Sequence, residues 1–143
     1  MKHLTVIFLS ISGLLLLAIG ATILVVPHAF YASDGIVLGS DPSLLSEIRA
    51  PGGFLAGSGL CILTGTFRDH LRSLSVLLTV LVYGSFGLSR LLSLVLDGIP
   101  SDSLVIATVI EVAVAAIGLI VFYQLSDDSL SAPLHRPTMD SRR

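Results

Sequence analysis

An all-α protein, a four-helix transmembrane bundle with both termini cytoplasmic, is the fold class this sequence predicts, and three observations predict it. Of its 143 residues, 53% are hydrophobic and only 13% charged, and the mean hydropathy is +0.93. A soluble domain this small needs more polar surface than that. The apolar residues gather into four runs long enough to cross a bilayer core. Two of the three connections between those runs are tight polar turns, as antiparallel neighbours in a bundle require.

The first run, residues 4–26, ends at Pro27. At 1.5 Å per residue it reaches about 35 Å, enough to cross with slight tilt. It exceeds the apolar core of a secretory signal and no A-x-A site follows it, so an uncleaved first helix is expected. The segment "PHAFYASDGIVLGSDPSLL" then reads as a longer loop with room for a short surface helix. The second span is expected over residues 47–67. Pro51 fits its first turn if the helix begins near Ala50, whereas a start near Leu44 would run the helix through the proline. "RDHLRS" is the tight turn into the third span, residues 71–96. "DGIPSDS" leads to the fourth, residues 103–125, with Gly98 stopping one helix and Ser101 or Asp102 capping the next. The polar, proline-bearing tail over residues 127–143 is expected to lack fixed structure.

Four crossings bring both termini to one side. That side would carry Lys2, Arg68, Arg72, Arg136, Arg142 and Arg143, six of the eight basic residues. The positive-inside rule then makes it the cytoplasmic side of a bacterial inner membrane. There is no tryptophan for an interfacial belt, which leaves Phe30, Tyr31 and Phe67 for that role.

Lipid gives helices no hydrophobic reason to associate, so small residues must let them approach closely. The second span offers Gly53, Gly57, Cys61 and Gly65 at successive i+4 positions. The others offer Gly13 and Gly20, Gly84 and Gly87, and Ala107, Ala115 and Gly118. A compact bundle or a dimer face would both use such seams.

Two charges interrupt the oil. Arg90 lies seven residues before Asp97, two turns or about 10 Å inside the end of the third span. Glu111 lies at similar depth in the fourth. Antiparallel neighbours bring these charges to one level, as their desolvation demands. Arg49 could reach the same region by snorkelling. The candidate polar cluster is therefore Arg49, Arg90, Asp97 and Glu111, with His28, Tyr31 and Glu47 on its rim. Three readings stay open: an interhelical clamp, an outward-opening pocket for an amphiphile or anion, and a proton or ion pathway. A pathway needs polar groups continuing to the other side, where Ser10, Ser12, Thr64, Thr66, Ser75 and Thr79 supply only hydroxyls.

Other chemistry has little support in the residues. His3, His28, His70 and His135 are dispersed, without metal-ligand spacing. No serine sits in a nucleophile-elbow setting, and "GSGLC" lacks the lysine of a phosphate loop. No metal, cofactor or catalytic residue is expected, although a membrane enzyme using Glu111 is the remaining enzymatic reading. Cys61 is the sole cysteine, so no intrachain disulfide forms. A net charge of −2 without a basic stripe excludes a nucleic-acid partner. The expected partners are the bilayer itself and either a second copy or another membrane protein. The leading expectation is a small structural or interaction module.

"EIRAPGGFLAGSGL" (residues 47–60), "GLSRLLSLVLDGIPS" (residues 87–101) and the isolated Glu111 resemble the bacterial domain-of-unknown-function 4345 family. Its members are small four-span inner-membrane proteins. The resemblance spans about residues 4–124. It rests on an Arg-Ala and Gly-Gly opening of span two (Arg49, Ala50, Gly52, Gly53) and on an arginine with a D-G-x-P turn closing span three (Arg90, Asp97, Gly98, Pro100). The third feature is the glutamate in span four. It implies the fold and no activity. Pro51 and the polar tail look particular to this chain.

Overall fold

The structure, a computed structural model, describes residues 2–130, with side chains up to Ser126. It is all helical over those residues, in the order α1 (Lys2–Val25), α2 (Pro27–Ala32), α3 (Pro42–Phe67), α4 (Arg72–Leu96) and α5 (Asp102–Leu130), with one 3₁₀ turn at Asp69–Leu71 before α4. Four of these are long and apolar enough to cross a membrane, and the chain is a multi-pass membrane protein. Exposed leucines, isoleucines and valines such as Ile11, Leu60, Leu88 and Ile117 are what a lipid-facing surface requires.

The termini of the elements follow local chemistry. Asp41 caps α3, its Oδ1 accepting from the Leu44 N–H at 3.0 Å, and Pro42 takes the first helical position, where its missing N–H costs nothing. The second span therefore starts at residue 42, not 47, and α3 runs through Pro51. Gly35 ends α2 and Gly98 ends α4, both with positive φ (76° and 98°), a conformation glycine adopts without a Cβ penalty. The expected short helix after the first span is α2. α5 continues to Leu130, four residues into the tail expected from residue 127; the rest of that tail lies outside the described residues.

The core sits between α1, α3 and α4. Leu9, Leu16 and Ile23 meet Leu55 and Ile62 from α3, and Val76, Val82 and Tyr83 from α4, while Ala115 is the single hydrophobic residue α5 buries there. α1 and α3 are in backbone contact. A Cβ on Gly20 would lie 2.4 Å from the Ala56 nitrogen, and one on Gly59 would lie 2.6 Å from the Gly13 carbonyl oxygen. The seam that α3 turns to α1 is thus Gly52, Ala56 and Gly59, and not the expected stripe. Of that stripe only Gly65 is buried; Gly57 and Cys61 are exposed, and a Cβ on Gly57 would meet nothing.

α5 packs along α4, where Gly87 accommodates Val112 and Gly118 accommodates Val80. Within the four-helix bundle, α1, α3 and α4 form the core and α5 attaches to its α4 flank. At the terminus end Phe8 of α1 reaches α5 beside Gly118. On that face Arg72 is buried, its Nη2 donating to Asp69 Oδ1 at 2.5 Å, while Lys2 Nζ stands 3.9 Å from Asp69 Oδ2.

Candidate functional site: an intramembrane cavity walled by an ion pair

Toward the end carrying α2, α1 and α5 are separated by a cavity of about 530 Å³, within the usual range of small-ligand sites. Leu15, Leu16, Ile19 and Ile23 of α1 form one wall, and Leu104, Ala107, Ile110 and Glu111 of α5 the other. α4 forms the floor through Val82, Tyr83, Phe86 and Arg90. Phe30 and Tyr31 of α2, ring centroids 5.4 Å apart in an edge-to-face pair, and the following Asp34 close the end. Leu15 and Ile110, one on each flanking helix, are exposed, so the gap between α1 and α5 opens sideways toward lipid.

The sequence-predicted pair forms. Arg90 Nε donates to both carboxylate oxygens of Glu111, at 3.0 Å and 3.2 Å. The Glu111 side chain is 15% exposed and that of Arg90 is 34% exposed, and both face the cavity. Among the described residues, none bonds the terminal nitrogens of Arg90. Beside the pair, the Tyr83 hydroxyl donates to the Ser12 carbonyl at 2.8 Å and so ties the floor to α1.

Arg49 and Asp97 do not join the pair. Arg49 Nε donates to the Leu24 carbonyl at 3.1 Å, near the end of α1, where helix carbonyls lack internal partners. Asp97 accepts from Ser93 Oγ at 2.9 Å and sits at the C-cap of its own helix. Neither lines the cavity, nor do the exposed His28 and Glu47. Of the expected rim, Tyr31 alone lies there. The intramembrane hydroxyls mostly bond carbonyls of their own helices, as in Ser10 to Val6, Thr64 to Cys61, Thr66 to Leu63 and Thr79 to Ser75. In each of these the hydroxyl proton is held by the backbone of its own helix.

Sequence reasoning missed the tie between Ser103 and Asp34, in which the serine hydroxyl donates to the carboxylate and joins the start of α5 to the loop after α2. The partners are 69 positions apart, and no local pattern announces them. Tyr83 was within reach, since it shares the helix face of Arg90 seven residues away.

These features define a class: a small multi-pass membrane protein with a laterally open cavity and an internal ion pair on its wall. The family pattern described as Domain of unknown function (DUF4345) matches residues 4–122, and the chain belongs to that family. No curated protein and no solved structure is detectably similar to it.

Proposed function

We propose that this protein is a binding module for a small amphiphile, held in the cavity between α1 and α5. The observation that carries the reading is the cavity itself, with mostly apolar walls, one ion pair and a side open to the bilayer. A guest could enter from lipid, leave its chain against Leu15, Ile19 and Ile110, and present its polar end to Arg90 and Glu111. Transport and catalysis are supported less well. The intramembrane hydroxyls mostly bond carbonyls of their own helices, and both Glu111 oxygens are engaged by Arg90.

The protein belongs, on this reading, in the cytoplasmic membrane of a bacterium with both termini inside. Lys2, Arg68 and Arg72 lie at the terminus end and support that orientation. The α2 end, and with it the cavity, would face the outer leaflet. A cysteine placed at Ser40 should react with an impermeant maleimide in intact cells; labelling only after lysis would reverse the orientation.

A second reading, a structural or interaction module, draws on α5. It is the least buried of the four spans, and it could present its free side to a second copy or to another membrane protein. Native mass spectrometry of the protein released from its own lipid separates the two. A discrete added mass, lost in Ala107→Trp, supports the binding module. A bare protein mass at a fixed dimer stoichiometry supports the interaction module.

A further inference from the structure

We infer that the cavity selects an uncharged, single-chain amphiphile whose head carries both a hydrogen-bond acceptor and a hydroxyl donor, as in a monoacylglycerol. The inference rests on the binding reading above and concerns which head group the wall accepts. Three charged side chains line the cavity: Arg90, Glu111 and Asp34. Arg90 and Glu111 neutralise one another at 3.0 Å, so neither offers an uncompensated charge to a guest. An anionic head brought to Arg90 would also approach the Glu111 carboxylate on the same guanidinium, with Asp34 at the closed end. A cationic head brought to Glu111 would need to compete with Arg90, and Asp34 already accepts the Ser103 hydroxyl. In surroundings this apolar, a charge without its own partner is costly, whereas a neutral polar group needs only hydrogen bonds.

Those hydrogen bonds are on offer. Arg90 spends Nε on Glu111, and its terminal nitrogens are donors suited to a carbonyl or ester oxygen. Asp34 takes the Ser103 hydroxyl on Oδ1, and its Oδ2 is an acceptor suited to a hydroxyl. Donor and acceptor thus stand on different walls, α4 and the loop after α2. A head bearing both functions has a partner on either wall, while a plain hydrocarbon has none. The volume, about 530 Å³, suits a single chain rather than a whole two-chain phospholipid.

The test uses the full chain in phosphatidylcholine nanodiscs, with three probes sharing an oleyl or oleoyl chain: monooleoylglycerol, oleate and oleylamine. Occupancy is read by native mass spectrometry for the wild type, Ala107→Trp and Ile110→Trp, with helical content checked by circular dichroism. The expected result is that monooleoylglycerol binds about tenfold or more tightly than either charged probe, and that both tryptophan variants lose it while remaining helical. Equal or tighter binding of oleate or oleylamine, still lost in the variants, would overturn the head-group inference and leave the cavity reading standing. Binding of no probe, or binding unchanged in both folded variants, would overturn the two together.

Discussion

The Tyr83 hydroxyl donates to the Ser12 carbonyl at 2.8 Å, joining α4 to α1 across 71 positions of sequence. Tyr83 is 3% exposed, and its ring also forms part of the cavity floor. The bond lies where water cannot replace it, yet a helix carbonyl has a second lone pair for its own helix. Tyr83→Phe should therefore keep the floor's shape and cost about 1 kcal/mol. A small drop in melting temperature in mild detergent, with amphiphile binding retained, is the expected outcome.

Glu111→Gln should cost more. It removes the counter-charge that both Arg90 contacts use and leaves the guanidinium facing an apolar cavity. Arg90 keeps partial access to that cavity, so the loss should be about 2 kcal/mol, below that of a fully enclosed pair. Arg90→Met combined with Glu111→Met should recover much of it, because a neutral, packed pair has no charge left to desolvate. Thermal unfolding of Glu111→Gln, of Arg90→Met and Glu111→Met singly, and of the double variant in one detergent checks this. A double variant less stable than either single one would mean that the pair contributes more than its desolvation costs.

The pair was legible because depth can be counted along a helix. Arg90 lies seven residues before Asp97 and Glu111 seven after Leu104, and a short turn between antiparallel spans puts them level. Asp97 was joined to the pair by its shared helix face and Arg49 by the reach of its side chain, and neither meets it. Asp97 shares the Arg90 face but lies two turns further out, about 10 Å away, and finds Ser93 in its own helix first. The start of α3 was missed, although Asp41-Pro42 is a cap followed by a first-turn proline. An outward-opening pocket was one of the readings, but its walls were not readable, because they depend on the separation of α1 from α5, two helices distant in sequence.

The small-residue seam shows how periodicity misleads. A strict i+4 stripe advances roughly 40° around a helix at each step, so Gly53, Gly57, Cys61 and Gly65 wind off any single face. The buried face of α3 steps by three and four through Gly52, Leu55, Gly59 and Ile62. Gly20→Ala should accordingly be severe, because its Cβ would lie 2.4 Å from the Ala56 nitrogen and 2.6 Å from the Gly52 oxygen. Backbone cannot rotate aside as a side chain can, and α1 must move, at about 2–3 kcal/mol. Gly57→Ala meets open space and should be neutral or slightly stabilising. Melting temperatures of the two variants measured side by side would show the contrast, and similar losses in both would contradict this seam.

Arg49 supplies the last discrimination. Its Nε reaches the Leu24 carbonyl at 3.1 Å, and a cation there also complements the negative end of the α1 dipole. The contact is exposed, so Arg49→Gln should cost no more than about 1 kcal/mol. The residue does not line the cavity, and the variant should therefore bind monooleoylglycerol as the wild type does. Both readings come from one preparation, a melting curve and a native mass spectrum. Intact folding with binding lost would place Arg49 in the cavity after all, swung from the α1 end toward the pair. Unchanged binding with a slightly lower melting temperature would fix Arg49 as a cap on α1 and leave Arg90 and Asp34 as the groups that meet a guest's head.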